Sequence, residues 1–164
     1  MPVTDEYGII GKVPAYTTIL CGTDGSRSSL RAVDRAGALA GDSGATLILA
    51  CAYTPMPERQ RLEAAEELGD EAYKVSGANP AEGALRDARD RARAAGARSI
   101  DMVPVQGDAV DVMAKLATDR HADLLVVGNR GLNSLAGRIL GSVPANLSHR
   151  ATCDVLIVHT TSGR

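Results

Sequence analysis

The chain contains no tryptophan and no phenylalanine, and tyrosine, present four times, supplies all of its Phe/Trp/Tyr content. A core without large rings must be filled by Ala, Val, Leu and Ile, which favours Ala-rich helices lying close on an aliphatic sheet. The same lack removes the stacking platforms that hold single-stranded nucleic acid, and a formal net charge of −2 supplies no basic field for a polyanion. Nucleic acid is therefore a poor partner. Only three cysteines occur, Cys21, Cys51 and Cys153, each in or beside an apolar run and none closely spaced with another, so the expectation is reduced core thiols rather than a metal knot or a disulfide frame. No run of eighteen apolar residues occurs, and Met1 to Tyr16 lack both an apolar signal core and twin arginines. That pattern predicts a soluble, cytoplasmic protein that does not enter a membrane. Several nucleotide and hydrolase signatures are missing as well: no G-x4-G-K-[ST] loop, no G-x-G-x-x-G fingerprint and no G-x-S-x-G elbow.

What the chain does have is alternation. At 164 residues it suits one domain. Residues 1–15, with two prolines and mixed charge, read as a flexible N-terminal extension, and residues 16–160 as the folded unit. Apolar, β-branched runs at Thr17–Cys21, Thr46–Tyr53, Ile100–Gln106, Asp123–Val127 and Asp154–Val158 predict five strands. Between them lie helical patterns. Leu30, Val33, Ala36 and Ala40 mark a helix from about Arg27 to Ala40 that Gly41 to Gly44 ends. A second runs from Pro80 to Ala95, and a third is capped by Asp108 with Val110, Met113, Leu116 and Ala117 inward. A short fourth spans Val143 to Arg150. The alternating Arg86, Asp87, Arg89, Asp90, Arg91 and Arg93 are explained by i,i+4 pairing on a solvated helix face. Thr54 to Asn79 is a long connection with a helical, charged centre from Arg59 to Tyr73, suited to a lid or surface loop. Strand and helix alternating in this way imply right-handed crossovers and an α/β, Rossmann-like, doubly wound five-stranded parallel sheet.

The most informative stretch follows the fourth strand. Leu124 to Val127 breaks at Gly128 into a loop carrying Gly131, Gly137 and Gly141, and Ser142-Val143-Pro144 then reads as a capped helix start. Glycines let backbone approach an anion, and first-turn amides and the helix dipole favour negative charge, so the order strand, glycine loop, helix is suited to phosphate. Backbone amides near Gly131 and at Gly141, Ser142 and Val143, with the Ser142 hydroxyl, are the candidate donors, and Arg130 and Arg138 could add charge. Asp24, ending the first strand beside Gly22 and Gly25, is placed to accept from a ribose hydroxyl or a ring amine, or else from its own turn's amides. Ala52 and Val127, at strand ends, suit the walls of a ring slot or an ordinary sheet interior.

The spacing G-x2-G-x9-G-[ST] from Gly128 to Ser142 resembles the nucleotide motif in the ATP-binding branch of the universal stress protein family. Gly22-Thr23-Asp24-Gly25-Ser26 looks like that family's first-strand signature, Val105-Gln106-Gly107 its third-strand turn, and Cys153 to Val158 its closing strand. The likeness covers about Tyr16 to Thr160. It implies strand order 3-2-1-4-5 and ligand contacts at Gly22, Thr23, Asp24, Ala52, Val127, Gly128, Arg130, Gly131, Gly141, Ser142 and Val143. It further implies a homodimer through residues 155–158, and an adenine nucleotide as ligand: ATP, with magnesium accompanying it, or in related members cyclic AMP. Stress response or nucleotide sensing is the implied role. No carboxylate pair or Glu/His group stands near the glycine loop, and His121, His149 and His159 are scattered. Binding is therefore expected, with at most a weak ATPase, no catalytic residue and no metal site of the protein's own.

Overall fold

The computed structural model describes residues 4–5, 8–9, 15–71, 79–130 and 140–160. Five strands form one parallel sheet: β1 (Thr18–Gly22), β2 (Thr46–Tyr53), β3 (Ser99–Gln106), β4 (Leu124–Gly128) and β5 (Asp154–Val158). Their spatial order is β3-β2-β1-β4-β5, the order 3-2-1-4-5 that the family resemblance implied. In the N-terminal stretch, Thr4–Asp5 pairs antiparallel with Gly8–Ile9.

Because neighbouring side chains on a strand point to opposite faces, each aliphatic run feeds two cores. Ile19, Cys21, Leu47, Leu49, Leu124 and Val126 pack on one face against Val33 and Ala36 of α1 (Arg27–Ser43) and Leu85, Ala88 and Ala92 of α3 (Asn79–Ala95). Leu20, Ile48, Ala50, Leu125 and Val127 pack on the other against Val110, Met113 and Ala117 of α4 (Ala109–Asp119) and Leu147 of α5 (Ser142–Arg150). The sheet is thus covered on both sides. At the edge away from the strand C-termini, Asp123 fastens β4 to β1: its carboxylate accepts from Thr17 N and Thr17 Oγ1, both at 2.8 Å, and from Thr18 N at 3.1 Å.

Three expectations need correction. Helix α1 does not stop at Ala40 but runs to Ser43, with Gly44 in the left-handed conformation (φ 71°) as its C-cap. Gly41 stays inside the helix because α3 approaches there too closely for a side chain: a Cβ on Gly41 would stand 2.6 Å from the Gly96 carbonyl oxygen, and one on Gly37 2.8 Å from that of Ala92. Second, among the described residues the charges on α3 form no i,i+4 pair. Arg91 crosses to Asp34 of α1, with Nε donating to Oδ1 at 2.8 Å, and Arg89 takes its neighbour Asp90 at 3.0 Å. Third, the α-helix in the long connection, α2, spans Glu58–Leu68 and passes into a 3-10 turn over residues 69–71, while residues 72 and 73 of the expected segment lie outside the described residues. It buries no residue, and Leu62 and Leu68 are exposed. The Ser76 to Ala78 break lies outside the described residues.

All three cysteines are free thiols; Cys21 and Cys51 are buried and Cys153 is half-buried. Burial pushes the Cys21 thiol up to about 12. Cys51 is raised first by burial and then by the nearby Asp24 charge.

Candidate functional site

In a doubly wound sheet the crevice lies beyond the strand C-termini where strand order reverses, here between β1 and β4. The chain leaving β1 is tightly held. Thr23, buried, donates its backbone N–H to the Ala50 carbonyl at 2.9 Å, pairs its hydroxyl with Ser29 Oγ at 2.8 Å, and accepts Gly25 N at 3.1 Å. Asp24 Oδ1 accepts Ser26 N at 2.9 Å, an Asx turn that Gly25 completes at φ 78°. Ser26 then caps α1, its Oγ accepting Ser29 N at 3.1 Å. One oxygen of Asp24 therefore serves the turn, as the alternative reading of that residue had it, and the carboxylate is fixed at the crevice.

The chain leaving β4 is held just as firmly, by a residue that the sequence did not single out. Asn129 donates its N–H to the Val158 carbonyl at 2.9 Å, and its own carbonyl accepts Gly141 N at 3.0 Å. Its side-chain oxygen accepts Thr160 N at 2.9 Å and Thr160 Oγ1 at 2.7 Å. Thr160 is buried, touches Ser28 Oγ, and has its carbonyl bound by Arg31 at 2.8 Å. These bonds bring the start of the glycine loop, the start of α5 and the chain after β5 to one point.

Helix α5 begins differently from expectation. Its N-cap is Gly141, in extended conformation, and Ser142 is the first helical residue, so the Ser142 hydroxyl does not cap. The Gly141 amide, expected as an anion donor, is committed to Asn129. The amides of Ser142 and Val143 stand in the first turn, where no helical acceptor exists for them.

Between these anchors lies a cavity of about 340 Å³. Gly22, Thr23 and Asp24 line it from β1, Ala52 from β2, Val127, Gly128 and Arg130 from β4, and Gly141, Ser142 and Val143 from α5. Ten of the eleven residues singled out from the sequence are thus gathered at one opening; the eleventh, Gly131, lies outside the described residues, as do Gly137 and Arg138. Ser29, Ala50, Ala109, Met113 and Pro144 also line it and were not expected there. Ala50 could have been found, since it precedes Ala52 by one strand period and shares its face. Met113 was visible as an inward helix position but carried no sign that its core lay beside a cavity. Chemically the lining is mixed: alanine, valine and methionine surfaces together with a carboxylate, hydroxyls and first-turn amides. A flat ring and an attached anion find complementary surfaces there.

Residues 15–159 match the model of the universal stress protein family. The chain belongs to this family. It is 56% identical over 147 residues to universal stress protein Rv1636 of Mycobacterium tuberculosis, covering 90% of this chain and 99% of that one. A Thermus aquaticus universal stress protein, described by its position 3′ of a QAH/OAS sulfhydrylase, is 32% identical over 154 residues, covering 87% and 98%. Among solved structures, a universal stress protein crystallised in complex with cAMP is 50% identical, matches 90% of this chain and 99% of its own, and superposes with a TM-score of 0.69. The family therefore accounts for the sheet order and for the crevice at its reversal point.

Proposed function

We propose that this protein binds an adenine nucleotide in the crevice between β1 and β4, and that cyclic AMP is the form it holds. The observation carrying this is one cavity lined both by alanine, valine and methionine and by Asp24 and the start of α5, in a chain 50% identical to a universal stress protein crystallised with cAMP. In this reading Ala52 and Val127 flank the ring and Asp24 accepts from the sugar or the ring amine. Ser142 and Val143 amides meet the phosphate, and Gly22, Thr23, Gly128, Arg130 and Gly141 shape the approach. ATP is the second reading, favoured by the G-x2-G-x9-G-[ST] spacing, with magnesium entering on its phosphates. Binding rather than turnover is the proposed role, in sensing or buffering nucleotide during cytoplasmic stress. Asp24 is the single carboxylate among the described lining residues, and its Oδ1 already accepts a turn amide, which makes it a poor base for activating water.

Competitive calorimetry tests this. One site per chain for cAMP, with ATP displacing it less effectively, is the expected result. Preference for ATP with magnesium would move the assignment to the second reading, and absence of binding by either would overturn both. Asp24→Ala is expected to weaken binding at least tenfold. A homodimer through β5 is also proposed: this edge strand presents Val155 to Val158 half-buried and, among the described residues, without a strand on its outer side.

A further inference from the structure

The apolar wall of the cavity is unevenly built. Ala50, Ala52 and Ala109 contribute only methyl groups, and Val127 is branched at Cβ with little freedom to withdraw. Met113 is different: it comes from α4, is 3% exposed, belongs to the core that includes Ala50 and Val127, and also lines the cavity. Its terminal methyl lies against Gly22 at the end of β1. A Cβ on Gly22 would stand 2.9 Å from Met113 Cε and 3.6 Å from Met113 Sδ, and 3.5 Å from Val127 Cγ1. The thioether thus occupies the space that a side chain at Gly22 would take, directly beneath the point where β1 and β4 part.

We infer that Met113 is the specificity-determining residue of the slot, setting how deeply a purine enters and which ring substituents are admitted. This rests on the nucleotide-binding reading above and goes beyond it by assigning base selection to a helix residue outside the glycine loop and strand ends. The physical basis is that the other apolar side chains lining the cavity are alanines, the branched Val127 and Val143 and the ring of Pro144, while methionine is unbranched, has three rotatable bonds and presents a polarizable sulfur to an aromatic surface. Shortening it deepens the slot by the volume of its end, with no change to the donors that meet the phosphate.

Calorimetry on the full chain, comparing cAMP with three analogues substituted at C2, N6 or C8 of the ring, tests the inference with Met113→Ala and, should that variant not fold, Met113→Val. The readout is the ratio of each analogue's affinity to that of cAMP, relative to the same ratio in the unaltered protein. An increase of at least fivefold for one or more analogues is expected. A change below fivefold for all three overturns the inference, because a side chain that only supports the core would weaken every ligand in parallel and leave the ratios unmoved. Failure of the unaltered protein to bind cAMP or any analogue would instead overturn the nucleotide reading itself.

Discussion

At the scale of single residues, the molecule's commitments show in hydrogen bonds that no motif advertises. Asn129 is the clearest case. Replacing it with alanine leaves the buried Thr160 N–H and hydroxyl without their shared acceptor, at a cost of about 1–3 kcal/mol. Urea denaturation should show this as a lower midpoint with an unchanged slope. Asp123 makes a second commitment at the opposite end of the sheet. Partial burial pushes its carboxyl up, but the bonds from Thr17 and Thr18 pull it down and prevail, so its value in the folded protein lies below the ordinary one. A carboxylate held low in the fold contributes its full stability above the unfolded-state value of about 3.9, and the contribution fades as pH falls through the folded value. Thermal denaturation of Asp123→Asn should therefore differ from the parent most at neutral pH, with the gap narrowing below about pH 4. Neither residue was identifiable from sequence, because each acts through partners about 30 or 105 positions away.

Helices and strands were more legible, and the reasons differ by element. The strands were found because aliphatic β-branched runs have few alternatives in a chain without large aromatic rings. Helix α4 was found because Asp108 stands before an inward-facing repeat, and its Oδ1 accepts Val110 N at 2.9 Å and Asp111 N at 3.2 Å. Asp108→Ala should cost about 1 kcal/mol, measurable as a lower melting temperature. It should also loosen the helix that carries Ala109 and Met113 to the cavity. Helix α1 was cut short at Gly41 because a glycine that ends a helix and one that admits a neighbouring helix look alike in a sequence. Structure separates them: Gly44 has the left-handed φ and open space around it, whereas Gly41 abuts Gly96. Gly41→Leu should destabilise by about 1–3 kcal/mol or more through forced separation of α1 and α3, while Gly44→Asn should be tolerated far better. Assigning Ser142 as a cap failed for a related reason. A Gly-Ser pair before a helix offers two cap positions, and the bond from Gly141 to Asn129 selects the first.

At the scale of the whole molecule, the alternating pattern disclosed the layer arrangement, and the family likeness added the order of the strands. The positions of ten candidate residues around one opening follow from that order, since β1, β2 and β4 are adjacent and their ends point the same way. What remained hidden is the contribution of α4, whose Met113 approaches β1 from 91 residues further along the chain. The edge strand β5 has its own test: Ile157→Asp should convert the proposed dimer to monomers in sedimentation, with circular dichroism separating loss of the dimer from loss of the fold. The Asn129 carbonyl also bears on the proposed nucleotide binding. By accepting the Gly141 amide it pins together the two ends of the segment that separates β4 from α5. Joining the ends of a free segment of about ten residues costs about 2 kcal/mol in lost configurational freedom. Here that loss is met when the protein folds, so the proposed nucleotide would not have to supply it on binding.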